Sequence, residues 1–218
     1  MSMSIKVTIV PVTAYQQNCS ILKCEVTGKA AIVDPGGDID RVLAAVEQLG
    51  ASVEKIILTH GHMDHCAASD VLRQQLSVPI EGPHEGDRFW IDKLPEWCKM
   101  SNFPIAEAFE PDRWLVAGDT VTVGAQTLQV FHCPGHTPGH VVFVHDGQRV
   151  AWVGDVIFQG SIGRTDFPKG NHDELINSIR NTLFPLGDDI TFIPGHGPTS
   201  TFGRERQSNP FVADERYG

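Results

Sequence analysis

Seven consecutive residues, Thr59-His60-Gly61-His62-Met63-Asp64-His65, constrain this 218-residue chain more than any other stretch, since they hold three imidazoles and a carboxylate. The apolar run Val53-Glu54-Lys55-Ile56-Ile57-Leu58 before them has the length and character of a β-strand, and after them Ala67, Ala68, Val71 and Leu72 recur at helical spacing. The cluster therefore belongs on a strand-to-helix loop. Two apart in extended chain, His60 and His62 can aim their rings to one side, while Asp64 and His65 turn toward a second point nearby. Borderline-to-hard donors packed so closely suit Zn²⁺, Fe or Mn²⁺.

The same pattern recurs three times. Leu128-Gln129-Val130-Phe131 runs into His132-Cys133-Pro134-Gly135-His136, Val150-Ala151-Trp152-Val153 into Gly154-Asp155, and Ile190-Thr191-Phe192-Ile193 into Pro194-Gly195-His196-Gly197. Ligands of open α/β sheets bind beyond the carboxyl ends of strands, so four such ends can share one rim. That collects His60, His62, Asp64, His65, His136, Asp155 and His196. Seven donors are too many for one ion and suit two divalent ions, with one carboxylate bridging and positions left open for water. A lone histidine beside a strand is ordinarily structural, but four donor-bearing strand ends are not accounted for that way.

Between the motifs the chain alternates strands and helices. Residues 5–10, 19–26 and 29–33 read as a β-meander. Asp38 reads as the cap of a helix with Ile39, Val42, Leu43, Val46 and Leu49 on its apolar face, stopped by Gly50. Asn171, with Glu174 three residues on, opens another whose inward residues are Leu175, Ile176, Ile179 and Leu183. The expected class is α/β (α+β): an αββα sandwich of two mixed β-sheets with helices on the outer faces, in one domain over residues 1–218. A 41% hydrophobic content is enough for a full core.

Charge narrows the partners. Lys+Arg 17 against Asp+Glu 27 gives a net −10 with no basic run, which argues against nucleic acid. No stretch approaches the roughly 18 apolar residues of a membrane helix, and no secretory signal pattern opens the chain. Cys19, Cys24, Cys66, Cys98 and Cys133 are odd in number, lack a C-x-x-C, and read as free thiols of a reducing compartment. The expectation is a cytoplasmic protein acting on a small molecule. Cys66 and Cys133, beside donor residues, read as small buried hydrophobes rather than ligands.

His60-x-His62-x-Asp64-His65, followed in order by His136, Asp155 and His196, resembles the metallo-β-lactamase superfamily. Within it the chain is most similar to the type II glyoxalases, or hydroxyacylglutathione hydrolases, in a short bacterial branch lacking their C-terminal helical domain. The resemblance implies that His60, His62, His136 and Asp155 hold one metal and that Asp64, His65, His196 and a shared Asp155 hold the other. It implies two divalent ions, Zn first with Fe or Mn as alternatives, and hydrolysis of S-2-hydroxyacylglutathione thioesters such as S-lactoylglutathione. Asp64 and Asp155 are the implied catalytic carboxylates. The β-lactamases of this fold lack the bridging aspartate, which argues against antibiotic hydrolysis. Asp34 and Thr59 are candidates to accept or fix ligand N–H groups.

Two regions bear on substrate. In Gly160-Ser161-Ile162-Gly163-Arg164-Thr165-Asp166-Phe167-Pro168-Lys169-Gly170-Asn171, Arg164 and Lys169 form either an ordinary salt-bridged loop or an anion clamp for a substrate carboxylate. In the type II glyoxalases a cation nine residues after the bridging aspartate contacts glutathione, and Arg164 has that spacing. The aromatic those enzymes carry two residues later is Asp166 here. The second region holds Phe89, Trp90, Trp97, Phe103, Phe109 and Trp114, as either a satellite core or an apolar wall over the site. His84, His145 and His172 read as solvated turn residues, and His132 and His140 as supporting or strand residues. Gly163-Arg164-Thr165-Asp166-Phe167 also matches persulfide dioxygenases of this fold, which use one Fe²⁺ on equivalents of His60, His136 and Asp155. That makes an oxidoreductase the alternative to hydrolysis.

Overall fold

Strand pairing starts at once: in the computed structural model, which describes residues 4–217, Ile5–Val12 (β1) lies antiparallel to Gln17–Cys24 (β2), with Ile5 opposite Cys24. Lys29–Val33 (β3) adds antiparallel to β2, completing the expected meander. Ile39–Gln48 (α1) then crosses over, so that Ser52–Ile57 (β4) joins β3 in parallel. Met63–Cys66 (α2) and Ser69–Leu76 (α3) cross again to Ile80–Glu81 (β5), parallel to β4. The first sheet has the order β1-β2-β3-β4-β5. Arg88–Asp92 (α4) and Leu94–Met100 (α5) follow, above the first sheet's rim.

The second half repeats the theme. Thr120–Val123 (β6), Gln126–His132 (β7), Val141–His145 (β8) and Val150–Gly154 (β9) form an antiparallel run. A small hairpin of Ile157–Phe158 (β10) and Ser161–Ile162 (β11) leads to His172–Asn177 (α6), continued by a π-helical turn over Ser178–Leu183. Thr191–Pro194 (β12) then joins β9 in parallel, and Ser200–Thr201 (β13) closes the edge in the order β13-β12-β9-β8-β7-β6. Phe202–Ser208 (α7) and Asp214–Tyr217 (α8) end the described chain.

Alternation along the strands builds the layers. Leu22, Ala31, Val33 and Ile57 meet Leu128, Val130, Phe143 and Trp152 between the sheets. The opposite faces, Ile21, Ile32 and Ile56 on one sheet and Val142, Val144 and Val153 on the other, are covered by Val42, Val46 and Leu72 and by Leu175, Ile179 and Leu183. Strands buried on both faces carry near-continuous apolar runs, as β3 and β8 do. The result is the expected αββα sandwich. Details differ. Asp38 does not cap α1 with its side chain; it sits in a left-handed conformation and its Oδ2 accepts the Thr13 N–H at 2.8 Å. Val71 is 47% exposed, leaving Ala68 and Leu72 as the inward residues of that helix. Asn171 does cap α6, accepting the Glu174 N–H at 3.2 Å.

Antiparallel neighbours of β8 run the same way, so β7, β9 and β12 all end at one edge. Two backbone contacts bring the first sheet to that edge: Val141 N donates to Thr59 O at 2.8 Å, and Asn18 N to Gly195 O at 2.7 Å.

Candidate metal centre

The turn after β4 keeps His60 and His62 extended, and their rings converge with that of His136 from the turn after β7. His60 Nε2 and His136 Nε2 lie 3.1 and 3.0 Å from His62 Nδ1. Hydrogen bonding fixes where the protons are. His136 Nδ1 donates to the Arg164 carbonyl at 2.7 Å, so its Nε2 carries a bare lone pair. Thr59 Oγ1 gives its proton to Asp34 at 2.6 Å and so accepts from His60 Nδ1 at 3.0 Å, which bares His60 Nε2 as well. Two lone pairs thus face one ring nitrogen of His62, whose own Nε2 is buried with no partner. Burial and the neighbouring imidazoles hold His60 and His62 well below the usual histidine pKa, and burial lowers His136, so all three stay neutral. A tetrahedral cation bonded at 2.0–2.1 Å spaces its ligand nitrogens about 3.3 Å apart. Neutral nitrogens converging at nearly that spacing fit such a cation better than they fit one another.

A second cluster adjoins the first. His65 Nδ1 donates to Asp34 Oδ2 at 2.9 Å, leaving a buried, unpartnered Nε2 that faces Asp155 Oδ1 at 3.4 Å and Asp64 Oδ2 at 3.8 Å. His196 Nε2 lies 3.1 Å from Asp64 Oδ2. Asp155 stands between the clusters: Oδ1 faces His65, while Oδ2 is 3.7 Å from both His136 Nε2 and His196 Nε2. Burial alone would raise the Asp155 carboxyl, but His65, His136 and His196 override it and hold it ionised. Burial likewise opposes charge on His65, yet Asp155 and Asp64 lift its pKa well above the usual value. Donor atoms of His60, His62 and His136, and separately of Asp64, His65 and His196, lie close enough to share an ion. All seven residues singled out in the sequence meet at this rim.

Supporting residues divide into those foreseen and those missed. Asp34 and Thr59 act as the pattern suggested, on His65 and His60. His140 stacks 4.6 Å from the His60 ring, and its Nε2 accepts the Asp155 N–H at 3.0 Å, so it steadies the site from behind. His132 Nε2 donates to Pro138 O at 2.9 Å, and its ring stacks on His84. Asp87 was missed. Fully buried, it accepts from Gly61 N at 2.8 Å, Thr137 Oγ1 at 2.8 Å and Gly139 N at 2.6 Å, tying the His60-His62 turn to the His136 turn. Burial pushes its pKa up to about 6 despite those donors. Gly195 was missed too: a Cβ there would overlap Asp155 Oδ1 and the His65 ring. A glycine before a histidine reads in sequence only as a turn.

The reading of His84 and His145 as solvated turn residues is corrected. His145 is buried, with Nε2 3.1 Å from Gln126 Oε1, and His84 is half-buried; of the three histidines read as solvated, only His172 is exposed. Cys66 and Cys133 are fully buried in apolar clusters, as expected of small hydrophobes, and the five cysteines are unpaired. The Phe89–Trp114 region serves both proposed purposes: Phe103 and Phe109 fill the core, while Trp90 and Trp97 wall a cavity of about 860 Å³ over the donors.

That cavity is also lined by Tyr15, Met100, Phe158, Ile162, Arg164 and Phe167. The Phe167 ring stands edge-on to His62 at 4.9 Å. Arg164 reaches the mouth, but its Nε and Nη2 both donate to Asp166 at 2.6 Å. Lys169 lies off the cavity lining with Nζ 3.9 Å over the Phe89 ring. Among the described residues no helix is long and apolar enough to cross a membrane.

Comparison with known proteins agrees with this geometry. Residues 12–196 match the family model described as the metallo-beta-lactamase superfamily. A Haemophilus influenzae protein named hydroxyacylglutathione hydrolase GloC is 45% identical over 94% of this chain and 97% of its own length. Among solved structures, the BLEG-1 B3 metallo-beta-lactamase superposes with TM-score 0.88 at 35% identity, covering 95% of this chain and 99% of that one. A di-iron-bound form of TTHA1623 gives 0.86 at 31%, over 94% and 100%. ETHE1 from Myxococcus xanthus gives 0.81 at 26%, over 95% and 84%.

Proposed function

The chain belongs to the metallo-β-lactamase superfamily, and from that premise we propose that it is a metal-dependent thioester hydrolase of the hydroxyacylglutathione hydrolase type. The observation that carries the proposal is the pair of adjoining donor clusters with Asp155 between them, on the floor of an apolar cavity. The 45% identical relative supplies the reaction class.

In this reading His60, His62 and His136 would hold one divalent ion and Asp64, His65 and His196 another, with Asp155 available to both. Bound there, such ions would supply Lewis acidity and lower the pKa of water toward neutrality. The chain's own residues do the rest. Asp155, held ionised, keeps negative charge between the clusters. Asp64, partly exposed on the cavity lining, can orient an attacking water by accepting its hydrogen bond. Asp34, Thr59 and the Arg164 carbonyl fix ring orientation, which sets which nitrogen faces the cavity. Trp90, Trp97 and Phe167 exclude bulk water from the reacting carbonyl and give apolar substrate groups a surface. The whole works as one domain.

The test is metal content per chain together with three assays on one preparation: thiol release from S-lactoylglutathione, oxygen uptake with glutathione persulfide, and cleavage of a chromogenic β-lactam. The expected result is up to two ions per chain and thiol release that a chelator abolishes and added metal restores. The Gly163–Phe167 match to persulfide dioxygenases, together with the ETHE1 likeness, favours one second reading, an Fe(II) oxygenase. Oxygen uptake exceeding thiol release would replace the hydrolase with it.

A further inference from the structure

Among the described residues, Arg164 is the sole Lys or Arg on the cavity lining, so it is the natural partner for a carboxylate carried by the substrate. Its charge is already engaged. Nε and Nη2, the edge of the guanidinium that matches a carboxylate bidentately, both donate to Asp166. The guanidinium plane also lies 4.2 Å over the Phe167 ring, and that ring is packed against His62 and Trp90. The backbone between is pinned, since the Arg164 carbonyl accepts from His136 Nδ1 and Gly170 N donates to Phe167 O.

Resting on the thioesterase reading, we infer that Asp166 is a specificity-determining residue: it occupies Arg164 as an internal carboxylate, so the cavity selects thioesters by their apolar groups rather than by the anionic groups of the thiol carrier. The pair is exposed, with side chains 60% and 67% accessible, and by itself contributes little to stability. Its effect is competitive. A partner two residues away presents a carboxylate at an effective concentration in the millimolar range or above, so a free carboxylate at lower concentration seldom displaces it. What remains for recognition is the aromatic wall of Trp90, Trp97, Phe158 and Phe167 beside the donors. Glutathione thioesters are then accepted through the acyl group and thioester, with their two carboxylates weakly held.

The experiment compares S-lactoylglutathione with S-lactoyl-N-acetylcysteamine, which shares the acyl group on an uncharged carrier. Wild type, Asp166→Ala and the double variant Asp166→Ala/Arg164→Ala are assayed at matched metal content. Binding of S-methylglutathione, which has no thioester to cleave, is titrated alongside. Freeing Arg164 from an exposed pair should raise the preference for the glutathione carrier about two- to fivefold in Asp166→Ala and tighten S-methylglutathione binding similarly. Both gains should vanish in the double variant, which separates a freed Arg164 from the mere loss of a negative charge. The inference is overturned if Asp166→Ala lowers the preference or the affinity, leaves both unmoved, or keeps its gain without Arg164. If no variant cleaves either thioester the hydrolase reading fails, while the S-methylglutathione titration still decides what Asp166 does.

Discussion

Replacing Asp87 with alanine separates positioning from stability. The carboxylate takes two buried backbone donors, Gly61 N and Gly139 N, and the Thr137 hydroxyl. Leaving a buried N–H without an acceptor costs about 1–3 kcal/mol, so the two together lose about 2–6 kcal/mol, while the hydroxyl can turn elsewhere. Opposing this, the native carboxyl titrates at about 6. Against an ordinary value near 3.9, that means the fold disfavours the ionised form by about 3 kcal/mol at neutral pH, a penalty alanine removes. The two effects partly offset, so net destabilisation should be at most about 3 kcal/mol, lowering Tm by no more than about 12 °C at roughly 2–4 °C per kcal/mol. Metal binding has no such compensation. Gly61 lies between His60 and His62, and Thr137 and Gly139 follow His136, so three proposed ligands lose their shared tether. Affinity should fall about 10–100-fold, as when an outer partner of a metal ligand is removed. Competition against a chromophoric chelator measures it, with melting curves of metal-free protein beside it. An Asp87→Ala protein that binds metal as tightly as wild type refutes the reasoning, whatever its Tm.

Other outcomes follow from the same geometry. Asp155→Ala removes the one carboxylate facing both clusters, so it should lower metal stoichiometry at both and reduce kcat by more than about 100-fold; two retained ions with near-normal turnover would exclude a shared ligand. Gly195→Ala drives a methyl into Asp155 Oδ1 and His65, so metal analysis should show loss first of the ion assigned to Asp64, His65 and His196, with far-ultraviolet dichroism unchanged. The pH dependence of stability carries a sign. Asp87 binds its proton more tightly folded than unfolded, so its contribution is full near pH 4, is lost as pH rises to about 6, and is flat above. In metal-free protein, the Tm gap between wild type and Asp87→Ala should therefore widen on going from pH 7 to pH 4.5; a gap that narrows contradicts the raised pKa.

The donor set was legible in sequence because each member closes an apolar strand, and strand ends are local patterns. Both sheets could be outlined for the same reason. What stayed hidden depends on approach between distant segments. Asp87 reads as one more acidic residue before a helix; its task appears only when Gly86 and Gly139 let the two turns close on it. Asp38 has the composition of a cap, but Thr13 N competes for its carboxylate and wins. His145 is followed by Asp146 and Gly147, which reads as a solvated turn, yet Gln126 on the neighbouring strand buries it. The Arg164–Asp166 spacing was visible, whereas closure of that pair over Phe167 is a property of the folded loop.

The rim where the two sheets meet has a mechanical meaning beyond chemistry. The proposed ligands come from the turn after β4 in one sheet and from the turns after β7, β9 and β12 in the other, so each bound ion joins two layers otherwise held mainly by apolar contact. The five cysteines form no covalent cross-link. Coordination shared by His65 and His196 would tie residues as far apart in the chain as a long disulfide loop does, and a disulfide closing a loop of about 100 residues is worth about 4.7 kcal/mol in chain entropy. Metal bound there would act as a rivet: the layers could not part until it was released, and the lifetime against unfolding would be set by metal exchange as much as by the core.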